Sequence, residues 1–313
     1  MTTIKNYLSL IKFSHTIFAM PFALIGFFLA TQWLPARTMQ LQAIHDHITS
    51  WSFYSKFPYI KLILVIGCMV FARSAAMAFN RYLDRAFDAK NPRTAIREIP
   101  SGVIKEKNAL IFTICSCILF ITCTYFINPI CFYLSPVALF VILFYSYTKR
   151  FTVLCHLVLG LGLSLAPIGA YLAVAGEFGL LPVLFSLTVL FWVSGFDIIY
   201  ALQDEEFDKS NQLYSIPASV GKSKALRVSE ILHLFAACCV TYAGVYGRFG
   251  VSYWLGVAVF VGMLVYQHSI VKPNDLRRVN VAFMTANGIA SVVFALFVLI
   301  DLFTNNNLYS LQG

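Results

Sequence analysis

The sequence predicts an all-α membrane protein with about nine transmembrane helices and a cytoplasmic N-terminus. Of its 313 residues, 59% are hydrophobic and only 12% are charged, and the mean hydropathy is +0.76. Apolar runs of roughly 20 residues, the length of helix that crosses the hydrocarbon core of a bilayer, recur along the whole chain. No polar stretch between them is long enough for a separate soluble domain. We therefore expect residues 1–313 to form a single membrane domain.

Nine apolar runs define the predicted helices. They lie at about 14–33, 60–80, 108–127, 129–147, 153–175, 180–203, 226–246, 251–271 and 279–303. Lys5 and Lys12 precede the first run, but no convincing small-residue cleavage site follows it, so we expect this run to be retained rather than removed as a signal peptide. The segment 35–57 is predicted to be an external loop with an interfacial aromatic stretch.

The placement of Lys and Arg predicts the orientation of the chain. If the N-terminus is cytoplasmic, nineteen of the 23 Lys and Arg residues fall on the cytoplasmic side, as the positive-inside rule requires. The net charge of +9 follows mostly from this bias, so it does not indicate nucleic-acid binding. The eight cysteines lie in apolar runs and indicate packing, and the six histidines, His156 among them, are scattered without a zinc or haem motif.

Acidic residues are concentrated in two clusters at the ends of apolar runs. The chain has only 14 acidic residues, and the first cluster contains Asp84 and Asp88 while the second contains Asp204 and Asp208. A spacing of four residues places both side chains of a pair on one face of a helix. Carboxylates in membrane segments are costly, which indicates that these residues have a function. With a cytoplasmic N-terminus, both clusters lie on the cytoplasmic side.

The chemistry of the two clusters predicts a magnesium–diphosphate site. Neighbouring carboxylates repel one another, whereas Mg²⁺ prefers oxygen ligands and is usually held by carboxylates together with phosphate oxygens. Arg93, Arg97 and Lys149 lie near the clusters in the sequence and could contact phosphate. A diphosphate at the mouth of an apolar cavity implies an amphiphilic substrate with its tail in the protein interior. Magnesium would promote the ionisation of an allylic C–O bond in such a substrate.

At these residues the chain resembles the UbiA superfamily of intramembrane aromatic prenyltransferases. The motif N-x-x-x-D-x-x-x-D is matched by Asn80, Asp84 and Asp88, and the motif D-x-x-Y-A-x-x-D-x-x-x-D by Asp197, Tyr200, Ala201, Asp204 and Asp208. Between them, residues 93–102 match R-T-x-x-R-x-[IL]-P-S-G, and Tyr145, Lys149, Arg150 and Thr152 match Y-x-x-x-K-R-x-T. One departure is Arg81, since many members of the family have Asp there, and it leaves one fewer carboxylate in the first motif.

The resemblance implies a fold, a reaction and a set of site residues. The fold is a ring of nine helices around a central cavity with a lateral opening to membrane lipid. The reaction is the Mg²⁺-dependent transfer of a polyprenyl chain from polyprenyl diphosphate to an aromatic acid acceptor. The implied metal ligands are Asp84, Asp88, Asp204 and Asp208, the diphosphate-binding residues are Arg93, Lys149 and Arg97, and the catalytic residues are Asp197, Asn80 and Tyr200. Asn80 would orient a ligand, Asp197 would deprotonate the arenium ion or orient the acceptor, and Tyr200 would line the acceptor pocket.

Two acceptors and one other class of function remain open. The motifs look most like the 4-hydroxybenzoate polyprenyltransferase branch of quinone biosynthesis, in a bacterial-type inner membrane with the active site on the cytoplasmic side. Residues 12–21 look instead like a subgroup that acts on a dihydroxynaphthoate in menaquinone biosynthesis. The different class is an ion or substrate transporter, although a transporter would place its charges near the midplane of the membrane on broken helices.

Overall fold

The structure is a computed structural model, and it describes residues 2–11, 18–33 and 58–305. Within these ranges the secondary structure is helical, apart from turns and one isolated bridge between Lys272 and Asp275. The predicted external loop at 35–57 lies outside the described residues, as do residues 12–17 of the segment that resembles the menaquinone subgroup.

Eleven α-helices follow one another in the described ranges. They are α1 (Thr2–Leu10), α2 (Met20–Phe28), α3 (Pro58–Lys90), α4 (Glu106–Ile127), α5 (Pro129–Thr148), α6 (Cys155–Ala175), α7 (Leu180–Ala201), α8 (Glu205–Ser210), α9 (Ile216–Gly247), α10 (Val251–Ile270) and α11 (Asn287–Thr304). Two π-helical segments, Leu29–Trp33 and Val281–Ala286, continue α2 and lead into α11, and a 3₁₀ turn, Leu202–Asp204, joins α7 to α8.

Eight helical segments among the described residues are long and apolar enough to cross a membrane. They correspond to eight of the nine predicted crossings. The predicted crossing at 14–33 is represented in the described residues by the shorter apolar helix Met20–Gln32. The prediction of an all-α, multi-pass membrane protein is confirmed, whereas the count of nine crossings and the cytoplasmic N-terminus stay predictions.

Helix α3 carries the first acidic cluster beyond the apolar layer. Its 33 residues give a length of roughly 50 Å, against roughly 30 Å for the hydrocarbon core of a bilayer. Both aspartates and most of the basic residues of this helix lie in its last three turns, from Asn80 to Lys90. On the other half of the bundle, the second cluster follows α7, where the chain tightens into the 3₁₀ turn Leu202–Asp204 before α8. Both clusters are therefore held on helical backbone rather than on flexible loops.

An aromatic core holds α2, α7, α10 and α11 together. Phe22, Trp192, Phe260 and Phe294 are fully buried in it, with ring centroids 5.4–6.3 Å apart. Contacts at these distances between tilted or edge-on rings add to the free energy gained by burying the apolar surface. These four helices therefore pack together through one aromatic core, and α7 contributes Val193 and Phe196 to the site described below.

A buried asparagine supports the π-helical segment that precedes α11. Asn287 donates hydrogen bonds to the carbonyl oxygens of Ala282 (3.1 Å) and Phe283 (3.0 Å). Its own side-chain oxygen accepts from Trp192 Nε1 and from Gln267 Nε2, both at 2.8 Å. π-helical turns leave irregular backbone hydrogen bonding that needs such compensation. The segment is held so that the Phe283 ring faces the site.

Close helix contacts on the other side of the bundle depend on small residues. Gly160 of α6 faces the Leu190 carbonyl and the Ser194 hydroxyl of α7, and Gly26 of α2 faces the Pro167 carbonyl of α6. A Cβ atom at either glycine would overlap these backbone atoms, because the helices approach so closely. Small residues are the usual means by which membrane helices pack at short distance.

Candidate active site

A polar cavity of about 320 Å³ lies where the polar ends of α3 and α7 meet. All ten of the site residues predicted from the sequence line it: Asn80, Asp84, Asp88, Arg93, Arg97, Lys149, Asp197, Tyr200, Asp204 and Asp208. The two acidic clusters are 116 positions apart between Asp88 and Asp204 in the sequence, yet they share this one cavity. The magnesium–diphosphate site predicted from the sequence requires both acidic clusters to face one cavity.

The first cluster is held by residues from three elements. Asn80 Nδ2 donates to Asp84 Oδ2 (3.1 Å) one turn away on α3. Arg150, from the turn after α5, donates to Asp84 Oδ1 (2.9 Å) and to the Leu83 carbonyl (3.0 Å). Arg97 Nη1 lies 2.7 and 2.9 Å from the two oxygens of Asp88.

The second cluster is tied to the first by the loop that follows α3. Arg93 forms a two-pronged ion pair with Asp204, and its Nη1 donates to the Tyr200 hydroxyl (3.0 Å). Asn91 Nδ2 also donates to Asp204 Oδ1 (3.2 Å). This loop turns at Gly102, whose φ of 76° lies in the left-handed region that favours glycine. The R-T-x-x-R-x-[IL]-P-S-G segment therefore bridges the two acidic clusters.

The last aspartate of the second motif is fully buried. Lys149 Nζ lies 2.7 Å from Asp208 Oδ1, and the Ser215 hydroxyl donates to Asp208 Oδ2 (2.9 Å). The same Ser215 oxygen accepts from Ala218 N (3.2 Å) and so caps the N-terminus of α9. The position of Asp208 is thereby fixed to both α5 and α9.

Two of the cations that hold the aspartates, Arg93 and Lys149, have a raised pKa. Burial lowers the pKa of Arg93, but the Asp204 carboxylate more than offsets this, so the pKa lies above its ordinary value. Burial likewise lowers the pKa of Lys149, and the Asp208 carboxylate again outweighs it and raises the pKa. A raised pKa means that each side chain keeps its proton until the pH passes well above the physiological range.

The residues of the cavity suit a divalent cation bound together with a diphosphate. The four aspartate carboxylates and the Asn80 amide supply oxygen atoms, the donors that Mg²⁺ prefers, and the basic side chains suit phosphate oxygens. In the described part of the chain, no three His, Cys, Asp or Glu side chains lie together as a preformed ion site. The donor set therefore fits an ion that takes a few protein ligands and completes its shell with substrate oxygens and water.

His156 is a site residue to which the sequence analysis gave no role. It is buried at the start of α6, lines the cavity, and its Nδ1 lies 2.6 Å from Asp197 Oδ2. Its Nε2 faces the backbone N–H of Ile216 (3.4 Å), the first residue of α9. Because an N–H can only donate, Nε2 accepts and the proton of a neutral imidazole is on Nδ1, where it is donated to Asp197. The sequence feature that could have identified His156 as a site residue is its position only a few residues after Lys149 and Arg150.

Arg81, which replaces the aspartate common in the family, is paired rather than free. It is buried, and its Nη1 lies 3.6 Å from Glu98 Oε2. Glu98 in turn accepts a hydrogen bond from the Ser9 hydroxyl of α1. The departure from the motif thus supplies a cation that joins α3 to the bridging loop.

An apolar cavity of about 410 Å³ adjoins the polar one. Its walls come from α3, α4, α5 and α6, and aliphatic and aromatic side chains form most of them. The two cavities share five lining residues, namely Arg73, Met77, Tyr145, Leu159 and Leu163. From this boundary the apolar cavity extends toward Val65 of α3 and Phe178 in the loop between α6 and α7.

These features define a polytopic membrane enzyme whose cavity is highly charged at one end and apolar at the other. The model of the UbiA prenyltransferase family matches residues 48–299, and the protein belongs to this family. It is therefore a prenyltransferase, and the resemblance noted in the sequence is confirmed.

Relatives of known name support the same assignment. The 4-hydroxybenzoate octaprenyltransferase of Tolumonas auensis is 29% identical over 239 residues, which cover 76% of this chain and 83% of the relative. That of Paraburkholderia phytofirmans is 31% identical over 235 residues, covering 74% and 80%.

Solved structures share the fold. A UbiA homolog from Aeropyrum pernix K1 in its apo form superposes with a TM-score of 0.73 at 24% identity, covering 93% of this chain and 98% of that one. A UbiA homolog from Archaeoglobus fulgidus bound to GPP and Mg²⁺ has a TM-score of 0.71 at 18% identity, covering 96% and 100%. At these identities the likeness concerns the fold alone.

Proposed function

We propose that the protein transfers a polyprenyl chain from polyprenyl diphosphate to an aromatic acid of the 4-hydroxybenzoate type in respiratory quinone biosynthesis. The observation that carries this proposal is the single cavity in which four motif aspartates and their basic partners adjoin an apolar chamber. The names of the relatives support 4-hydroxybenzoate as the acceptor.

The charged end of the cavity binds the diphosphate. Asp84, Asp88, Asp204 and Asp208 would hold Mg²⁺, which when bound neutralises charge that develops on the departing diphosphate. Arg93, Arg97 and Lys149 reach the same space and contribute fixed positive charge toward the phosphate oxygens. These three cations also neutralise the aspartates, which lowers the cost of burying so many carboxylates together.

The apolar end accommodates the prenyl tail and keeps water from the reacting carbon. An allylic cation would be captured by water, so the reaction needs a dry surround. Tyr145 lines both cavities at their boundary, and in the polar cavity the Tyr200 ring packs on Phe283 with centroids 4.3 Å apart. The faces of aromatic rings stabilise a nearby positive charge.

The acceptor side of the site contains Asn80, Tyr200 and Asp197. Asp197 Oδ2 is held by His156, and Asp197 lines the cavity with its side chain 23% exposed. After the ring carbon of the acceptor bonds to the prenyl carbon, Asp197 accepts the proton that the arenium ring must lose to regain aromaticity. Asn80 positions Asp84, and Tyr200 forms part of the acceptor wall.

A dihydroxynaphthoate is the alternative acceptor, which would place the protein in menaquinone biosynthesis. Both acceptors are phenolic carboxylates, and both fit the same chemistry.

Membership of a prenyltransferase family argues against the transporter hypothesis. The excess of Lys and Arg on one predicted side supports a cytoplasmic active site in a bacterial-type inner membrane.

A direct assay tests the proposed function. Purified protein with Mg²⁺ and a polyprenyl diphosphate is incubated with 4-hydroxybenzoate or a dihydroxynaphthoate, and products are identified by mass. We expect a prenylated aromatic acid, which disappears on chelation of the metal. Asp84→Asn and Asp204→Asn should lower the rate by roughly a hundredfold or more, because each removes charge from the diphosphate site. No product from either acid, or full activity in both folded variants, would contradict the proposal.

A further inference from the structure

Arg81 and Glu98 form an ion pair that the mechanism above does not use. Arg81 lies on α3 and lines the polar cavity, and Glu98 belongs to the bridging loop, residues 91–105, which also carries Arg93 and Arg97. Both side chains are largely buried, with exposed fractions of 4% and 12%, and Arg81 Nη1 lies 3.6 Å from Glu98 Oε2. Burying two charges costs more than burying apolar side chains of the same size, so stability alone does not account for the pair.

Glu98 is joined through the backbone to the part of the loop that reaches the cavity. Its carbonyl oxygen accepts from Ile104 N (2.9 Å), and the carbonyl oxygen of the neighbouring Arg97 accepts from Ser101 N (3.0 Å). Arg97 N in turn donates to the Thr94 carbonyl oxygen (3.0 Å). Because the loop is a run of hydrogen-bonded turns, a displacement of Glu98 would displace Arg97 with it.

The charges around Arg81 alternate in sign. Glu98 and Asp88 attract its guanidinium, whereas Arg97 repels it. Arg97 Nη1 itself lies 2.7 and 2.9 Å from the two oxygens of Asp88. Without the Glu98 carboxylate, Arg81 would compete with Arg97 for Asp88. Glu98 therefore keeps the two cations apart, each with its own carboxylate.

The N-terminal helix α1 packs against the same loop. Leu10 of α1 is fully buried in one apolar cluster with Ile99 of the loop. The Ser9 hydroxyl donates to Glu98 Oε1, whereas Arg81 faces Glu98 Oε2. Glu98 is thus held by α1 through one oxygen and by α3 through the other.

We propose that Arg81 and Glu98 are positioning residues for the diphosphate, because they fix the bridging loop with Arg93 and Arg97 directed into the polar cavity. The inference rests on the proposed function, in which these two arginines contact phosphate oxygens, and adds to it the pair that orients them. Cations that are already in place lose less conformational freedom on binding an anion than mobile ones, so they bind it more tightly. The residue that replaces the aspartate common in the family thus acts on the diphosphate through the loop.

The test measures diphosphate binding and loop mobility in matched variants. Arg81→Gln and Glu98→Gln each remove one charge of the pair, a double variant removes both, and Arg81→Lys keeps the cation. Arg85→Gln is the control, because Arg85 pairs with Glu106 and so joins α3 to the start of α4, but outside both cavities. Calorimetry measures the binding of inorganic pyrophosphate with Mg²⁺, steady-state kinetics give KM and kcat for each substrate, and hydrogen exchange reports on residues 93–104.

The two single glutamine variants should bind the diphosphate more weakly. We expect Kd for pyrophosphate with Mg²⁺ and KM for the polyprenyl diphosphate to rise by about tenfold, with little change in KM for the aromatic acid. Amide exchange in residues 93–104 should become faster. Because the two residues act through each other, the double variant should bind no more weakly than the single ones. Arg81→Lys should recover most of the affinity, and Arg85→Gln should match wild type.

Three results would overturn the inference. They are an unchanged Kd in Arg81→Gln or Glu98→Gln, additive losses in the double variant, or an equal rise of KM for both substrates. If the glutamine variants do not fold, Ser9→Ala decides, since it removes one contact of Glu98 without leaving a buried charge unpaired: a smaller rise in Kd supports the inference, and an unchanged Kd overturns it. A wild-type protein that binds pyrophosphate with Mg²⁺ but prenylates no aromatic acid contradicts the proposed function itself, which distinguishes the two failures.

Discussion

At the scale of single residues, the site is a set of charge pairs whose members come from distant parts of the chain. Asp84 pairs with Arg150, and Asp204 with Arg93, which are 66 and 111 residues away. The aspartates could be predicted from the sequence, because a spacing of four on a helix needs no tertiary information. Their partners could not, since the choice among many Lys and Arg residues depends on how the helices pack.

His156 gives a prediction at this scale. His156→Phe removes the N–H that Asp197 accepts, so Asp197 loses its fixed direction toward the acceptor. We expect kcat for prenyl transfer to fall by about tenfold or more, with KM for the polyprenyl diphosphate unchanged. Steady-state kinetics with each substrate varied in turn measure both quantities. His156→Gln keeps an N–H donor and should recover part of kcat, and wild-type kcat in His156→Phe would show that the imidazole does not position Asp197.

At the scale of helices, irregular turns place the reacting groups. The 3₁₀ turn Leu202–Asp204 carries Asp204 and lies between Asp197 of α7 and Asp208 of α8, and the π-helical segment Val281–Ala286 presents Phe283 to Tyr200. Sequence periodicity predicts that a helix exists and roughly where it ends. It does not predict a 3₁₀ or π turn, because these depend on side chains such as Asn287 that are supplied with partners only in the folded bundle.

Asn287 gives the prediction for this scale. Asn287→Leu retains the volume but leaves the Trp192 indole N–H and the Gln267 amide without their acceptor. Unpaired buried polar groups cost about 1–3 kcal/mol each, so we expect a lower thermal unfolding temperature together with reduced kcat as Phe283 shifts. Thermal unfolding in detergent measures the first effect. Ser269→Ala is the control, because its exposed hydroxyl bonds only to Tyr266 in its own helix, and equal stability of the two variants would contradict the assigned role.

At the scale of the whole molecule, two cavities of opposite character meet inside one helical bundle. The positive-inside bias, the apolar runs and the paired motifs were sufficient to predict the class of fold and the polar cavity. An apolar cavity was expected beside the diphosphate site, but the identity of its lining residues has no comparable signal, because they are of the same types as the residues that face lipid. Only the packing of α3, α4, α5 and α6 distinguishes them.

The size of the apolar cavity should set the length of prenyl chain that the enzyme uses. Gly169 of α6 lines this cavity, and no atom lies within 4 Å of the point where its Cβ would be. Gly169→Leu would therefore project into the chamber without distorting the helix. We expect the ratio of activity with long-chain to activity with ten-carbon diphosphate to fall by about tenfold, because burial of several methylene groups is lost.

The same substitution elsewhere is the control for this effect. Gly262 of α10 is exposed and also has open space around it, and it does not line the apolar cavity. Gly262→Leu should leave the chain-length ratio unchanged. Both variants are assayed in parallel with the long-chain and the ten-carbon diphosphate. An equal change of the chain-length ratio in the two variants would contradict the prediction.

The uninterrupted course of α3 has a geometric consequence. One continuous helix carries Arg73 at the boundary of the two cavities and Asn80, Asp84 and Asp88 in the polar cavity, so it sets both the distance and the angle between that boundary and the acidic cluster. Adding one amino acid between Arg73 and Asn80 would turn everything beyond it by about 100° and advance it by about 1.5 Å. The aspartates would then point away from the chamber, so this stretch can change in composition but not in length.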